Sequence, residues 1–118
     1  MKLPTQCVLW DKPELILEPV GQRFELLETY EEESHFWRYL LKCRECSQLY
    51  FYEFYEEIDW EGGNDPQQST YIPVNSQEEV ETLKMKSSFE LQQCFPRLQK
   101  DLPRVAEHPT ARWWLKEA

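Results

Sequence analysis

Between residues 23 and 60 the apolar and polar positions recur with a period of two rather than 3.6, the mark of strands. In "RFELLETY", residues 23–30, Phe24, Leu26 and Tyr30 fall on one face and Arg23, Glu25 and Thr29 on the other. The acidic "EEES" that follows, with Glu31, Glu32 and Glu33, suits a solvated turn. "HFWRYLLKC", residues 35–43, is aromatic or leucine-rich on both faces, as a central strand requires. A tight "RECS" connection then leads into "QLYFYEFYEEIDW", a long third strand running back. "EGGNDPQQS" carries the Gly pair and a Pro and reads as a loop, and "TYIPV" is a short strand whose Pro73 fits an edge or a strand end.

Beyond Val74 the pattern turns helical. "SQEE" and "SSFE" each set a Ser three residues before a Glu, the capping-box spacing, so helices are predicted over about residues 76–85 and 87–95, with Pro96 restarting a helical turn in "PRLQKD". The tail "TARWWLKEA" fits a final helix or a last strand equally, and in its Trp113–Trp114 pair one ring can face inward while the other lies over a sheet edge. The fold class that results is α+β, an antiparallel β-meander of three to five strands with short C-terminal helices packed on one face, in a single domain over residues 1–118.

Strand parity divides the third strand. Tyr50, Tyr52, Phe54, Ile58 and Trp60 share a face on which Glu56 is the one charge, which makes it the core face. Leu49, Phe51, Glu53, Tyr55, Glu57 and Asp59 share the other, mixing aromatics with three carboxylates. Two readings stand open for that second face. One is a solvated charged face whose apolar end a helix covers. The other is a docking surface in which Tyr55 anchors a partner, Glu53, Glu57 and Asp59 meet its Lys or Arg side chains, and Glu31, Glu32 and Glu33 add long-range field.

Charge favours a basic partner. Residues 14–65 hold 14 Asp or Glu against 4 Lys or Arg, so the whole net charge of −9 arises there. Such a field repels phosphate backbones, and the clustered cations that drive counterion release are missing, so no nucleic-acid partner is expected. Pro4, Asp11, Pro13 and Glu14 break every apolar run near the N-terminus, from which a cytoplasmic protein with no membrane partner is expected. With 118 residues and six Phe, five Trp and six Tyr, the chain can build a core without a metal or disulfide.

Chemistry-bearing residues are few. Cys43 and Cys46 form a Cys-x-x-Cys in a predicted hairpin turn, where zinc knuckles place two thiolates. The other half of a zinc site would have to come from Cys7, Cys94, His35 or His108, none of which forms a second close pair, and Ser47 stands where many knuckles carry Gly. Bound zinc and plain thiols in a reducing compartment therefore both remain open. The three glycines make no phosphate-cradling loop and no nucleophile lies beside a base in sequence, so no enzyme activity is expected.

Three stretches, "CRECSQLYFYEFYEEIDW", "GGNDPQQSTYIPV" and "FPRLQKDL", give the chain a resemblance to the small acidic immunity proteins encoded beside bacterial polymorphic toxins, including those of contact-dependent growth inhibition. The resemblance implies a protein that binds a cognate toxin, commonly a basic nuclease, and blocks its active site or substrate access. A zinc-knuckle adaptor or regulatory module with no toxin partner is the alternative from a different class.

Overall fold

The structure is a computed structural model that describes residues 3–57, 60–62, 65–102 and 108–116. Its centre is a six-stranded antiparallel sheet in the order β1-β2-β3-β4-β5-β6, each strand pairing with the next in sequence. The strands are β1 (Phe24–Glu33), β2 (Phe36–Cys43), β3 (Leu49–Glu56), β4 (Gln67–Val74), β5 (Arg97–Leu102) and β6 (Thr110–Trp114). Before them come two one-turn helices, α1 (Val8–Asp11) and α2 (Val20–Arg23), separated by a 3₁₀ turn (Pro13–Leu17); α3 (Gln77–Lys84) and α4 (Ser88–Leu91) lie between β4 and β5. Among the described residues no helix is long and apolar enough to cross a membrane.

The α+β class and the meander agree with expectation, and the strand count exceeds it. The residues after Pro96 form β5 instead of a helical turn, because Leu98 and Leu102 stand four apart and satisfy either period, while the alternation of Arg97, Gln99 and Asp101 carries no apolar signal. The tail resolves as strand β6, pairing with β5 from Arg97 opposite Trp114 to Asp101 opposite Thr110. Glu31, Glu32 and Glu33 do not form the turn; they complete β1, opposite Arg38, Trp37 and Phe36, and Ser34 and His35 turn the chain. The third strand ends at Glu56, earlier than its alternation suggests.

Each face of the sheet is covered in part. On one, α3 and α4 bury Val80, Leu83 and Leu91 against Leu40, Phe51, Ile72 and Val74. On the other, the N-terminal segment buries Cys7, Leu9 and Ile16 against Phe24, Leu41, Tyr50, Tyr71 and Leu98. Strands β2, β3 and β4 thus pack apolar side chains on both sides, which explains their near-continuous hydrophobic runs. The helix starts are chemically specified. Ser87 and Glu90 form a complete capping box, whereas Ser76 accepts from the Glu79 N–H while the Glu79 carboxylate takes the Asn75 N–H. Tryptophans 113 and 114 point to opposite faces. Trp113 donates its Nε1–H to the Leu9 carbonyl at 2.8 Å and packs on Trp10, and Trp114 lies under the guanidinium of Arg112, 3.8 Å from the ring centre.

Candidate functional site

The face of β3 that carries Phe51, Glu53 and Tyr55 is the face on which α3 and α4 sit, and the helices cover only part of it. Phe51 is fully buried and Tyr55 is 43% exposed. Glu53 lies between them and is 3% exposed, so it is not available at the surface as a docking residue. Its carboxylate accepts from Arg38 Nε at 2.8 Å and forms an ion pair with Nη2 at 2.7 Å. The same guanidinium donates to the carbonyls of Lys84 and Lys86, at 3.3 and 2.7 Å, closing the C-terminal end of α3. Register aligns Glu31, Arg38, Glu53, Thr70, Gln99 and Arg112 in one row across all six strands. Inside that row Thr70 accepts from Gln92, and Gln99 accepts from Arg97 and donates to Asp101, so the buried members have partners.

The next row outward is Glu33, Phe36 and Tyr55, aligned by register on the same face beyond the helices. Glu31 and Glu33 therefore share the face of Tyr55, while Glu32 lies opposite Trp37 on the reverse side. All three glutamates are exposed, and so is Glu57 just beyond β3. The expected patch thus keeps Tyr55, Glu31, Glu33 and Glu57 at one end of the sheet, buries Glu53 and sends Glu32 over the edge. Asp59 lies outside the described residues.

The reverse face at that end carries a feature missed in the sequence. Trp37 stacks on Phe54 with ring centres 4.4 Å apart and Tyr39 on Tyr52 at 5.8 Å, and Tyr71 meets Tyr52 at a tilt of 50° with centres 4.9 Å apart. This cross-strand ladder floors a cavity of about 320 Å³ walled by Val20, Gln67, Ser69, Lys100 and Leu102, where the N-terminal segment stops short of covering the sheet. Carboxylates lie beside the ladder: Tyr39 donates to Glu32 at 3.2 Å, and Glu56 accepts from Gln67 at 2.8 Å and lies 2.7 Å from His35 Nδ1. Parity alone assigns these rings to a core. The half-burial of Trp37, Tyr39 and Phe54 depends on how far the N-terminal segment reaches, which no local pattern encodes, while Tyr52 and Tyr71 are buried.

At the other end of β2 the thiols converge. Cys7 leads into α1, Cys43 ends β2 and Cys46 sits in the β2–β3 turn, and their sulfurs all lie within 4.8 Å of one another. Ligands on a tetrahedral zinc with Zn–S near 2.3 Å stand roughly 4 Å apart, so the trio could hold a metal ion with little movement. The turn has the knuckle's geometry. Ser47 N–H donates to the Cys43 carbonyl at 2.9 Å, and Ser47 itself takes φ of 66°, the left-handed conformation for which knuckles commonly use Gly. Cys7 and Cys43 are buried and Cys46 is partly open. Burial pushes the Cys7 thiol up to about 12, opposed by the hydroxyl of Tyr50, which donates to its sulfur at 3.1 Å. Of the other candidate ligands, Cys94 packs beside the α3/α4 cluster on the opposite face, His35 is engaged with Glu56 at the far end of β2, and His108 is outside the cluster.

Comparison of the chain with protein-family models, with curated proteins and with solved structures finds no match.

Proposed function

We propose that this protein is a non-catalytic inhibitor that binds a basic partner protein, a cognate bacterial toxin of the nuclease type, and blocks its active site or substrate access in the cytoplasm. One observation carries the reading: Tyr55, Phe36 and the Trp37–Phe54 stack gather at one end of the sheet with the exposed carboxylates of Glu31, Glu32, Glu33 and Glu57. Aromatic side chains supply anchor area at low entropic cost, and a surrounding negative field speeds encounter with a positively charged surface. The same field disfavours nucleic acid, so the inhibitor competes for the toxin without binding the toxin's substrate. The surface chemistry supports a basic protein as the partner, and the sequence's resemblance to immunity proteins points to a toxin within that class.

Capture with the product of the neighbouring gene tests this. A one-to-one complex should form, with an association rate that falls steeply between low and physiological salt and with loss of the toxin's activity. Absence of a complex, or a complex formed at a rate indifferent to salt, counts against the reading.

A second reading is favoured by the three converging thiols: zinc bound at Cys7, Cys43 and Cys46 as a structural ion, in a module that works through protein contacts. Metal analysis of protein purified without added zinc checks it, with one equivalent expected per chain. The two readings are compatible, since thiols and acidic end lie at opposite ends of β2.

A further inference from the structure

The thiol cluster holds only part of a structural zinc site's ligand set. Closed structural sites surround zinc with four protein donors, whereas sites that keep three leave a position for an exchangeable ligand. Among the described residues no fourth Cys, His, Asp or Glu joins Cys7, Cys43 and Cys46. The buried side of the cluster is filled by Tyr50, whose hydroxyl points at the Cys7 sulfur and acts as a hydrogen-bonding neighbour to the thiolate. The partly exposed member, Cys46, opens onto a cavity of about 270 Å³ bounded by Gln6, Ser47, Gln48, Leu49 and Asn75.

The wall of that cavity is held by a chain of amide hydrogen bonds. Gln6 donates to Gln48 at 2.8 Å, and Gln48 in turn donates to the Leu49 and Val74 carbonyls and to Asn75, which fixes the wall in one arrangement. Its polar groups are amides and a hydroxyl, and no ammonium or guanidinium lines it. Three thiolates around a divalent ion already leave one net negative charge. A fourth thiolate would double it beside a cavity that no cation lines, in a protein of net charge −9. A neutral donor avoids that cost.

We propose that Cys7, Cys43 and Cys46 form a three-thiolate zinc site whose fourth coordination position faces the amide-lined cavity and accepts a neutral exchangeable donor, water or an imidazole from outside the chain. This rests on the zinc reading above and goes beyond it in giving the ion an open face. The site also ties the N-terminal segment to the β2–β3 turn, since its ligands come from both.

Cobalt(II) titration of the reduced protein under anaerobic conditions separates the two claims. One equivalent should produce thiolate-to-cobalt charge-transfer absorption and the intense visible bands of a tetrahedral ion, both removed by zinc. Adding imidazole should shift the visible bands saturably. Cys46→Ser should weaken metal binding by more than about 100-fold, beyond what loss of an outer neighbour does, and Cys94→Ser should leave the spectrum unchanged. Cys46 lies in a turn and is less buried than Cys7, so its variant decides even if Cys7→Ser fails to fold. No cobalt spectrum at all overturns the zinc reading itself. A full tetrahedral spectrum that imidazole does not alter overturns the open position alone, with zinc still bound.

Discussion

Arg38 and Glu53 show how one buried pair can imitate a binding feature in a sequence. A carboxylate flanked by Phe51 and Tyr55 reads as part of an acidic aromatic surface, yet its charge is answered inside the protein by a residue fifteen positions earlier. Arg38 also closes the end of α3 through two carbonyls, a favourable place for a cation beside the negative pole of a helix. Removing one member leaves the other charged and buried, so Glu53→Gln should lower stability by about 3 kcal/mol in urea unfolding. Replacing both, Arg38→Met with Glu53→Leu, should recover much of that loss. Little change in the single variant would mean that water reaches the pair. Ser47 provides a second test. An L-residue in the left-handed region costs about 1–2 kcal/mol, so Ser47→Gly should be neutral or mildly stabilising despite the freer unfolded chain, and Ser47→Val should be clearly destabilising in the same assay.

Elements differ in how plainly the chain announces them. Strands β1 to β4 and the start of α3 are legible because runs of strand-forming residues between turn signals and a Ser three residues before a Glu are local signals, but two bulges in β1 put Tyr30 on the face opposite Phe24, against the alternation read there. The one-turn helices before β1 are not, since four residues with prolines between them offer no period to detect. Strand β5 is hidden because Arg97, Gln99 and Asp101 alternate as polar groups satisfied by one another. The thiol site divides along the same line. Cys43 and Cys46 are visible as a motif, whereas Cys7 is one candidate among four until the N-terminal segment folds across the sheet. Capping also sets the cost of losing an element. Ser87 and Glu90 satisfy each other's backbone N–H groups, so Ser87→Ala should destabilise the protein by about 1 kcal/mol, seen as a lower urea midpoint at unchanged slope. An unchanged midpoint would show that α4 is held by Leu91 packing alone.

At the scale of the whole molecule, charge and packing are segregated along the strands. The thiols and the N-terminal segment close one end of the β2–β3 hairpin, and the other end is left with exposed glutamates around half-buried rings. Exposed charges act at a distance and contribute little once surfaces touch, whereas a desolvated ring contributes chiefly after contact. If this end is the docking surface, the two groups must separate kinetically. Neutralising Glu31, Glu32 and Glu33 together with Gln should slow association with the basic partner and flatten its salt dependence, with little effect on dissociation. Tyr55→Ala should leave the association rate nearly unchanged and speed dissociation, costing on the order of 2 kcal/mol of binding. Tyr52→Ala is the necessary control. That ring is a buried member of the ladder on the reverse face, so its loss should cost about 3 kcal/mol or more of folding stability, while Tyr55→Ala should unfold like the parent. Stopped-flow kinetics in parallel with urea unfolding distinguishes these outcomes. A Tyr55→Ala protein that binds as tightly as the parent, in a series where the glutamate variants also associate at the parent rate, would place any partner on a different surface from this end of the sheet.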